Sequence, residues 1–395
     1  MQIFHIMSAR RLITAFSTLV ALALVLVIAV AFRKMEVASP PVPQDGLART
    51  PEVTVDEVAG TASMEISVLI YNVAGLPWPI GCGKNSREAN ESGKRYPIAC
   101  SRSRGVRNIG DILGRLRGIG LEPDIIMLQE AFVPASLEVP ERAGYPNWVA
   151  GPGPNELSPK FSDRADDSFL AERSFWKGEK LGKRQSSGLL IASNFPIIEH
   201  LNFPFYQWEC AGFDCLANKG VLLVRIRIPG LPDPLEVITT HYNAKKASGV
   251  SLERAHTAHR LQVDATAEFL NRHSVREFPV IWGGDLNMRQ SEDRIRYFVE
   301  QAGESLNEVS SWCLKNTAAC DIKIRSESDT PWFEYQDLQG WSSGQRVSVK
   351  PVRIEEVFDE PADGVMASDH PGFIVIYSLS WPVSPQREGQ TPIGR

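Results

Sequence analysis

The sequence lacks an excess of positive charge. Its 395 residues include 42 Lys and Arg against 47 Asp and Glu, which gives a net charge of −5. Residues 1–34 hold four basic residues and no acidic one, so the remainder has 38 basic against 47 acidic residues, a net charge of −9. A field of this sign does not attract polyanions, which argues against a high-affinity nucleic-acid-binding protein. It still allows a nuclease that offsets the phosphate charge with a metal ion.

Cysteine is also scarce, and its pattern excludes an ordinary zinc site. No two cysteines have CxxC spacing, and no histidine lies close to any of them. An even number of cysteines in an exported chain favours disulfide bonds, although the sequence does not choose among the possible connectivities. The cysteines fall into three sequence-local pairs: Cys82 and Cys100, Cys210 and Cys215, and Cys313 and Cys320.

Export is indicated by the N-terminus. Residues 12–32 contain no charged side chain and follow Arg10 and Arg11. Their length suits a membrane-spanning helix, which needs about 20 residues, better than the apolar part of a signal peptide, which has about 7–15. We expect residues 1–34 to be an uncleaved anchor, with the rest of the protein on the periplasmic or exterior side. The alternative is cleavage near Ala29–Ala31 and secretion.

The remaining chain shows no internal repeat and only one linker-like segment. Residues 35–60 are rich in proline and polar residues, which predicts a flexible linker. Residues 381–395 are expected to be a disordered tail. Residues 61–380 therefore form one predicted domain.

Strand-like runs outnumber helical ones in this domain. Amphipathic helices are predicted at 104–120 and 251–271. A large α/β domain of two layered sheets with helices outside follows from this pattern. The predicted strands are 64–73, 123–130, 188–192, 220–228, 235–240, 279–282, 349–358 and 372–379.

Polar residues able to bind a metal or transfer a proton lie at or beside the ends of several of these strands. Each has an ordinary explanation when it is taken alone: Glu130 as the first exposed residue after a strand, His241 as a structural histidine, and His370 as part of a turn. Strand ends are also where sheet folds display catalytic groups. The residues are Asn72, Glu130, His241, Asp285, Asn287, Asp369 and His370.

Taken together, these residues indicate attack on a phosphate ester. Carboxylate and amide oxygens suit Mg²⁺ or another hard divalent cation. Two histidines supply proton transfer near neutral pH. The metal would neutralise phosphoryl charge, one imidazole would activate water, and another donor would support the leaving oxygen.

In chain order, the segments YNV, PDIIMLQE, SGLLIASNFPI, TTHYN, GGDLNM and SDHPG resemble the motifs of the endonuclease/exonuclease/phosphatase superfamily. Its members include secreted deoxyribonucleases, abasic-site endonucleases and neutral sphingomyelinases. The resemblance covers about Met64 to Leu379. It implies an α/β fold that is a four-layered sandwich, in which two mixed β-sheets pack face to face with helices outside.

The resemblance implies a metal site in this chain. Glu130 would be the principal ligand, with Asn72 beside it, and Asp369 would be a supporting or second-metal carboxylate. The metal would be Mg²⁺, with Mn²⁺ or Co²⁺ as alternatives.

The resemblance also implies the catalytic groups. Asp285 and Asn287 would orient the attacking water and the phosphate. His370 would be the general base, and His241 would stabilise the pentavalent phosphorus or assist the leaving group. Asp337 in YQDLQGWSS is the best match for the aspartate that orients the base, although its surroundings differ from the family pattern.

Three features favour the sphingomyelinase-like branch. LANKGVLLVRI resembles a lysine-glycine stretch of that branch, so Lys219 is predicted to bind substrate. The predicted anchor would hold the site near a bilayer. Aromatic residues in 200–215 would suit a membrane interface, or would pack as an ordinary disulfide-closed loop. Against this, the basic stretch 72–104 would suit DNA or an anionic lipid head group.

Three hypotheses follow. The first is a metal-dependent phosphodiesterase that cleaves a phospholipid or sphingolipid in the manner of phospholipase C. The second is an exported nuclease on the same scaffold, with nucleic acid as substrate only. The third is a catalytically silent binding domain, which is weakened because nearly every expected catalytic position holds the expected residue type. No protein partner is implied.

Overall fold

The computed structural model describes residues 39–77, 97–98, 102–158, 167–303, 307–361 and 365–383. These residues belong to one compact unit. The predicted anchor, Cys82, Cys100 and most of the predicted tail lie outside them. Within the described residues, no helix has the length and apolar character needed to cross a membrane.

Strands and helices are numbered here in chain order over the described residues. The strands are β1 (Thr54–Asp56), β2 (Thr61–Asn72), β3 (Ile125–Gln129), β4 (Asn147–Ala150), β5 (Leu190–Ser193), β6 (Ile197–Pro204), β7 (Gly220–Ile226), β8 (Leu235–His241), β9 (Val280–Asp285), β10 (Asn307–Glu308), β11 (Asp321–Lys323), β12 (Asp337–Ser342), β13 (Ser348–Val357) and β14 (Gly372–Pro382). The α-helices are α1 (Arg102–Gly118), α2 (Val139–Ala143), α3 (Asp167–Ala171), α4 (Leu252–His273), α5 (Glu292–Ala302), α6 (Val309–Lys315) and α7 (Pro331–Glu334). Short 3-10 helices occupy Pro134–Glu138, Phe175–Lys177 and Gly212–Leu216.

The described strands form two mixed sheets, as the resemblance implies. The larger sheet has 8 strands in the order β11-β13-β14-β2-β3-β5-β4, with β1 paired to β2. The smaller sheet has 6 strands in the order β10-β12-β9-β8-β7-β6. The larger sheet contains two parallel pairs, β2 with β3 and β11 with β13, and the smaller sheet contains one, β8 with β9. The other strand pairs are antiparallel.

Strand β2 shows why the larger sheet is buried on both faces. Ile66, Val68 and Ile70 belong to the core between the two sheets. Leu69 and Tyr71, on the opposite face, belong to a second core that includes residues of α1. A strand covered on both faces needs an almost continuous apolar sequence, which is what residues 64–73 provide. Helix α4 covers the smaller sheet in the same way, with Phe269 stacked on Phe203 at a centroid distance of 4.9 Å. The result is the four-layered sandwich.

The two sheets approach closely at Gly283 in β9. A Cβ atom there would lie 2.9 Å from both Ile70 Cδ1 and Met127 Cε of the larger sheet. A Cβ atom at this position would force the ends of these two side chains to shift, so glycine leaves room for them between the sheets. Gly283 lies two residues before Asp285, so the close approach is next to the predicted catalytic residues.

The described part of the predicted linker, residues 39–60, packs against the domain instead of hanging free. The Ser39 hydroxyl hydrogen bonds to the Ala150 backbone, and the Gln44 side chain both donates to and accepts from the backbone of Trp148. Strand β4 is an edge strand. Its unpaired backbone groups need partners, which explains why a proline-rich and polar segment is ordered along it.

Two further sequence predictions have clear outcomes. Cys210 is bonded to Cys215, and Cys313 to Cys320. Phe203, Phe205 and Tyr206, which belong to the aromatic residues considered for a membrane interface, are at most 5 % exposed. The packed alternative is therefore correct for these three rings, because they fill the core against Tyr242 and Phe269 or stack on Trp208.

Candidate active site

The ends of three neighbouring strands in the smaller sheet carry one row of polar residues. His241, the last residue of β8, is in register with Asp285, the last residue of β9. Asp285 is in turn opposite Asp337, the first residue of β12. Because side chains of paired residues project to the same face of a sheet, this register brings three of the predicted site residues together.

The larger sheet contributes residues at the same end of the sandwich. Asn72 ends β2 and pairs with Gln129, so Glu130 follows directly. His370 lies two residues before Gly372, which begins β14. The Asn72 Nδ2 atom donates a hydrogen bond of 2.9 Å to Asp285 Oδ2. This bond joins the two sheets across the site.

Asp285 has a dense set of hydrogen-bond donors. Its Oδ1 atom accepts from the backbone N–H of Asn287 at 3.0 Å and from Gln336 Nε2 at 3.2 Å. Its side chain is almost completely buried, at 1 % exposure. A buried carboxylate that accepts several hydrogen bonds is held in one orientation and favours its charged form.

The same carboxylate lies between the two predicted catalytic histidines. Asp285 Oδ2 is 3.5 Å from His241 Nε2 and 3.9 Å from His370 Nε2. A group placed between two imidazole nitrogens at these distances is positioned to orient a water molecule or a phosphoryl oxygen.

His370 lies next to Asp337, the residue predicted to orient it. The distance from His370 Nδ1 to Asp337 Oδ2 is 2.5 Å, and both residues are buried. The backbone N–H of His370 also donates to Ser368 Oγ at 3.2 Å. Since Nδ1 is engaged by the carboxylate, Nε2 is the nitrogen that faces Asp285.

His241 has a very different environment from a free imidazole. Burial, reinforced by the nearby Lys219 ammonium, lowers its pKa to about 3, although Asp285 and Asp214 oppose the change. Its Nδ1 atom has no hydrogen-bond partner among the described residues. Without a metal, the imidazole is therefore neutral throughout the physiological pH range.

Lys219, predicted to bind substrate, is buried beside His241. Its Nζ atom donates to Asp214 Oδ2 and to the Tyr242 carbonyl oxygen, both at 2.9 Å. The side chain is 4 % exposed. In this structure its effect on the site is electrostatic, through the imidazole of His241.

Glu130 and Asn287 occupy unusual backbone conformations. Their φ angles are 54° and 50°, in the left-handed region that non-glycine residues seldom adopt. Such a conformation costs about 1–2 kcal/mol for a residue such as glutamate, and asparagine tolerates it better. The Asn287 turn is held by its Nδ2 atom, which donates to the Tyr242 carbonyl at 3.0 Å.

The donor atoms of the site fit a divalent metal ion. Ligand atoms of Glu130, His241 and Asp285 lie within 4.8 Å of one another, and so do those of Asp285, Asp337 and His370. Carboxylate oxygens with one imidazole match the preferences of Mg²⁺ and Mn²⁺. The Nδ1 atom of His241 is buried and has no hydrogen-bond partner among the described residues. Buried polar atoms normally have a partner, so this atom is consistent with a site that binds a ligand or an ion.

Asn72 and Asp369 are less direct candidates for metal binding. The Asn72 Oδ1 atom accepts from the backbone N–H of Ala74 at 3.0 Å. Asp369 belongs to neither group of convergent ligand atoms. It instead lies near Arg102 at the start of α1, where burial lowers the pKa of the arginine and Asp369 and Glu130 oppose that change.

Sequence reasoning missed several residues that support the site. Two of them, Gln336 and Ser368, directly precede the predicted residues Asp337 and Asp369. This adjacency was the one feature of the sequence that could have identified them as part of the site. Arg294 in α5 is 1 % exposed and donates to the carbonyl oxygens of Asn287 and Asn243 at 2.9 and 2.7 Å. Its neighbours in α5 include the charged residues Glu292, Asp293 and Arg296, and nothing local marked it as buried.

Comparison with known proteins agrees with this geometry. Residues 70–370 match the model of the endonuclease/exonuclease/phosphatase family. No curated protein is similar to the chain in sequence.

Solved structures share the fold at low identity. Sphingomyelinase C from Streptomyces griseocarneus is 17 % identical, with a TM-score of 0.52, over 79 % of this chain and 98 % of that one. A beta toxin variant from Staphylococcus aureus with bound magnesium ions is 17 % identical, with a TM-score of 0.52, over 79 % and 99 % of the two chains. TDP2 from D. rerio with a single-strand DNA product is 16 % identical, with a TM-score of 0.46, over 79 % and 98 %. At these identities the likeness to the sphingomyelinase and to the beta toxin shows the fold alone.

Proposed function

The chain belongs to the endonuclease/exonuclease/phosphatase family, and we propose that it is an exported phosphodiesterase that removes the head group of a phospholipid or sphingolipid. Members of this family are metal-dependent hydrolases of phosphodiester bonds. The two disulfides support an oxidising compartment outside the cytoplasm. We propose that residues 1–34 are its membrane anchor, with cleavage and secretion as the alternative.

The observation that carries the proposal is the row of acid and imidazole groups around Asp285. His370 acts as the general base: Asp337 holds Nδ1, so Nε2 takes a proton from a water molecule near Asp285. The water oxygen forms a bond to phosphorus as the bond from phosphorus to the lipid oxygen breaks. The released lipid oxygen takes up a proton from solvent, and the His370 imidazolium returns its proton to solvent. The products are a phosphorylated head group and a lipid alcohol.

His241 acts on the other side of Asp285 as a neutral hydrogen-bond donor. Its low pKa keeps it uncharged, so with its proton on Nε2 it can donate to a phosphoryl oxygen or to the oxygen that leaves. Asn287, held in its turn by Tyr242, supplies a second polar group for the phosphate. Lys219 positions the Tyr242 carbonyl and adds positive charge behind His241.

A divalent cation, Mg²⁺ first and Mn²⁺ or Co²⁺ as alternatives, would neutralise the charge that builds up on the phosphoryl oxygens. Glu130 and Asn72 are the proposed ligands, and the proximity of Glu130 to Asp285 and His241 supports this assignment. Asp369 is proposed as a supporting carboxylate behind Arg102 and Glu130.

A lipid substrate is favoured over nucleic acid by charge. Outside residues 1–34 the chain carries a net charge of −9, which does not help it to hold a long polyanion. One lipid head group presents a single phosphodiester and places no such demand on the protein. The apolar segment 12–32 adds support, since an anchor would keep the site at a bilayer.

The test is a substrate panel for the full chain with Mg²⁺. Vesicles of sphingomyelin, phosphatidylcholine and phosphatidylinositol are compared with plasmid DNA. We expect Mg²⁺-dependent release of a phosphorylated head group, which His370→Ala abolishes and the control His200→Ala in β6 retains. Nicking of the plasmid without lipid turnover would show a nuclease instead. No hydrolysis of any substrate with Mg²⁺, Mn²⁺ or Co²⁺ would favour a silent binding domain.

A further inference from the structure

Three aromatic side chains are exposed in the described part of the chain, and they lie together. Phe175, Trp176 and Phe213 are 54, 85 and 48 % exposed, whereas the other described Phe, Trp and Tyr side chains are buried or half-buried. The rings of Phe175 and Trp176 meet edge to face at 5.6 Å. Lys177 Nζ lies 5.7 Å from the centre of the Phe213 ring. We call Phe175, Trp176 and Phe213 the aromatic patch.

Two exposed lysines adjoin the aromatic patch. Residues 173–184, RSFWKGEKLGKR, contain five basic residues and one acidic residue, in a chain that is acidic as a whole. The acidic residue, Glu179, is buried, and its carboxylate is engaged by the backbone N–H of Gly212 and by Arg254 Nε at 2.9 and 2.8 Å. Lys177 and Lys180 are exposed. The positive charge exposed next to the rings therefore comes from these two lysines, because Lys183 is buried.

The segments that carry the patch are bonded to both sides of the candidate active site. The backbone N–H of Ala244, three residues after His241, donates to the carboxylate of Asp214, the neighbour of Phe213, at 2.6 Å. The backbone N–H of Ala131, directly after Glu130, donates to the Gly188 carbonyl at 2.8 Å, where the 173–188 segment ends. The patch is thus fixed to the loops that follow two of the site residues.

We propose that the aromatic patch inserts into the interface of an anionic phospholipid bilayer and so brings the active site to its lipid substrate. This inference rests on the lipid substrate of the proposed function. Trp and Phe favour the level of the lipid head groups, and lysines next to them are attracted to anionic lipids. Exposed aromatics beside a catalytic site have no such use if the substrate is a small soluble molecule.

The position of the patch was not predicted from the sequence. The aromatic residues considered there for a membrane interface lie in 200–215, and Phe203, Phe205 and Tyr206 among them are buried. Phe213 from that stretch is exposed, but the other two exposed rings, those of Phe175 and Trp176, come from a different segment. Only the folded chain brings Phe213 close to Lys177, the residue that follows Phe175 and Trp176.

The experiment measures contact between Trp176 and lipid, and it needs no catalytic turnover. The full chain is mixed with vesicles that contain brominated phospholipids, and the emission of Trp176 is taken as the difference between wild type and Trp176→Phe. We expect this emission to be quenched in vesicles with phosphatidylglycerol and much less in pure phosphatidylcholine. Trp312→Phe, which reports a half-buried tryptophan of α6, is the matched control and should show no quenched component.

Charge reversal tests the role of the lysines. Lys177→Glu combined with Lys180→Glu should raise the amount of anionic lipid needed for half-maximal quenching about tenfold or more. If brominated lipid leaves Trp176 unquenched, the proposal is wrong, whatever the enzyme hydrolyses. If a single-stranded oligonucleotide quenches Trp176 and lipid does not, the patch is a nucleic-acid platform. Quenching by lipid without lipid hydrolysis would leave the bilayer contact standing and overturn only the proposed substrate.

Discussion

Replacement of Asp337 by asparagine is the most direct test of the proposed general base. The side chains have the same shape, so the change removes charge without opening a cavity. The carboxylate lies 2.5 Å from His370 Nδ1, and the Asp337 and His370 side chains are buried. An amide nitrogen facing Nδ1 would move the ring proton to Nε2, the nitrogen that should accept a proton from water. An amide oxygen facing Nδ1 would keep the tautomer but would no longer balance the imidazolium charge.

The expected loss follows from the charge interaction. Two unit charges about 4 Å apart interact by about 4 kcal/mol at the effective dielectric constant of about 20 that suits protein sites. Losing half or more of this in the transition state lowers kcat by about 30-fold to about 10³-fold, since about 1.4 kcal/mol corresponds to a factor of ten. The assay is hydrolysis of a chromogenic phosphodiester, bis(p-nitrophenyl) phosphate, at saturating Mg²⁺, so that the result does not depend on knowing the natural substrate.

The control is Glu236→Gln at the opposite end of β8. Glu236 is also completely buried, and it accepts from Arg225 Nε at 3.0 Å and from the backbone N–H of Val275 at 3.1 Å. Breaking this buried pair should cost about 3–5 kcal/mol of folding stability and leave kcat of the folded enzyme unchanged. If Asp337→Asn keeps kcat within about threefold of wild type, a smaller effect than positioned proton transfer supplies, then Asp337 does not orient the base.

Three further predictions concern the metal, pH and a buried arginine. Glu130→Gln should raise the Mg²⁺ concentration for half-maximal activity about tenfold or more with little change in Tm, and a collapse of Tm would assign Glu130 a structural role. Burial lowers the pKa of Lys183 from 10.5 to about 7 in the folded protein. Between about pH 7 and 10 this lysine is therefore protonated in the unfolded chain and deprotonated in the folded one. The free energy of unfolding of wild type then rises with pH, by at most about 1.4 kcal/mol per pH unit. Lys183→Met should lose this rise in unfolding experiments, whereas the exposed Lys180→Met should keep it. Arg294→Met leaves three carbonyl oxygens without their donor, which should cost about 3 kcal/mol in denaturant unfolding, and an unchanged midpoint would contradict this.

Apolar runs with a β-prone composition predicted the central strands and the two long helices correctly. The clearest case is residues 64–73, where both faces of β2 are covered and the apolar pattern is nearly unbroken. Strand β12 was missed because its pattern is interrupted. Gln339 is buried within it, donating to the carbonyl oxygens of Val68 and Phe373 and accepting from Tyr377. Gly340 leaves room for the Trp282 ring. A polar residue and a glycine inside a core strand hide the period on which such predictions depend.

The candidate site residues were selected as a set because strand ends display polar groups, but their mutual contacts were beyond local reasoning. Asn72 and Asp285 lie far apart in the chain and meet through the packing of two sheets. Asp337 begins β12 in the smaller sheet, and His370 precedes β14 in the larger sheet. The two residues are in contact because these strands begin at the same end of the sandwich. Spacing along the sequence carries no information about such contacts, whereas the family resemblance supplied the pairing of Asp337 with the histidine.

The placement of the catalytic groups makes the site depend on the closure of the whole sandwich. Asn72 and Glu130 come from the larger sheet, and Asp285 comes from the smaller one. Near this end, Gly283 of the smaller sheet leaves room for the end of the Ile70 side chain of the larger sheet. Any change that separates the sheets therefore separates Glu130 from Asp285 and removes the hydrogen bond between Asn72 and Asp285. Neither sheet contains a complete site, so the proposed chemistry is a property of the interface between them.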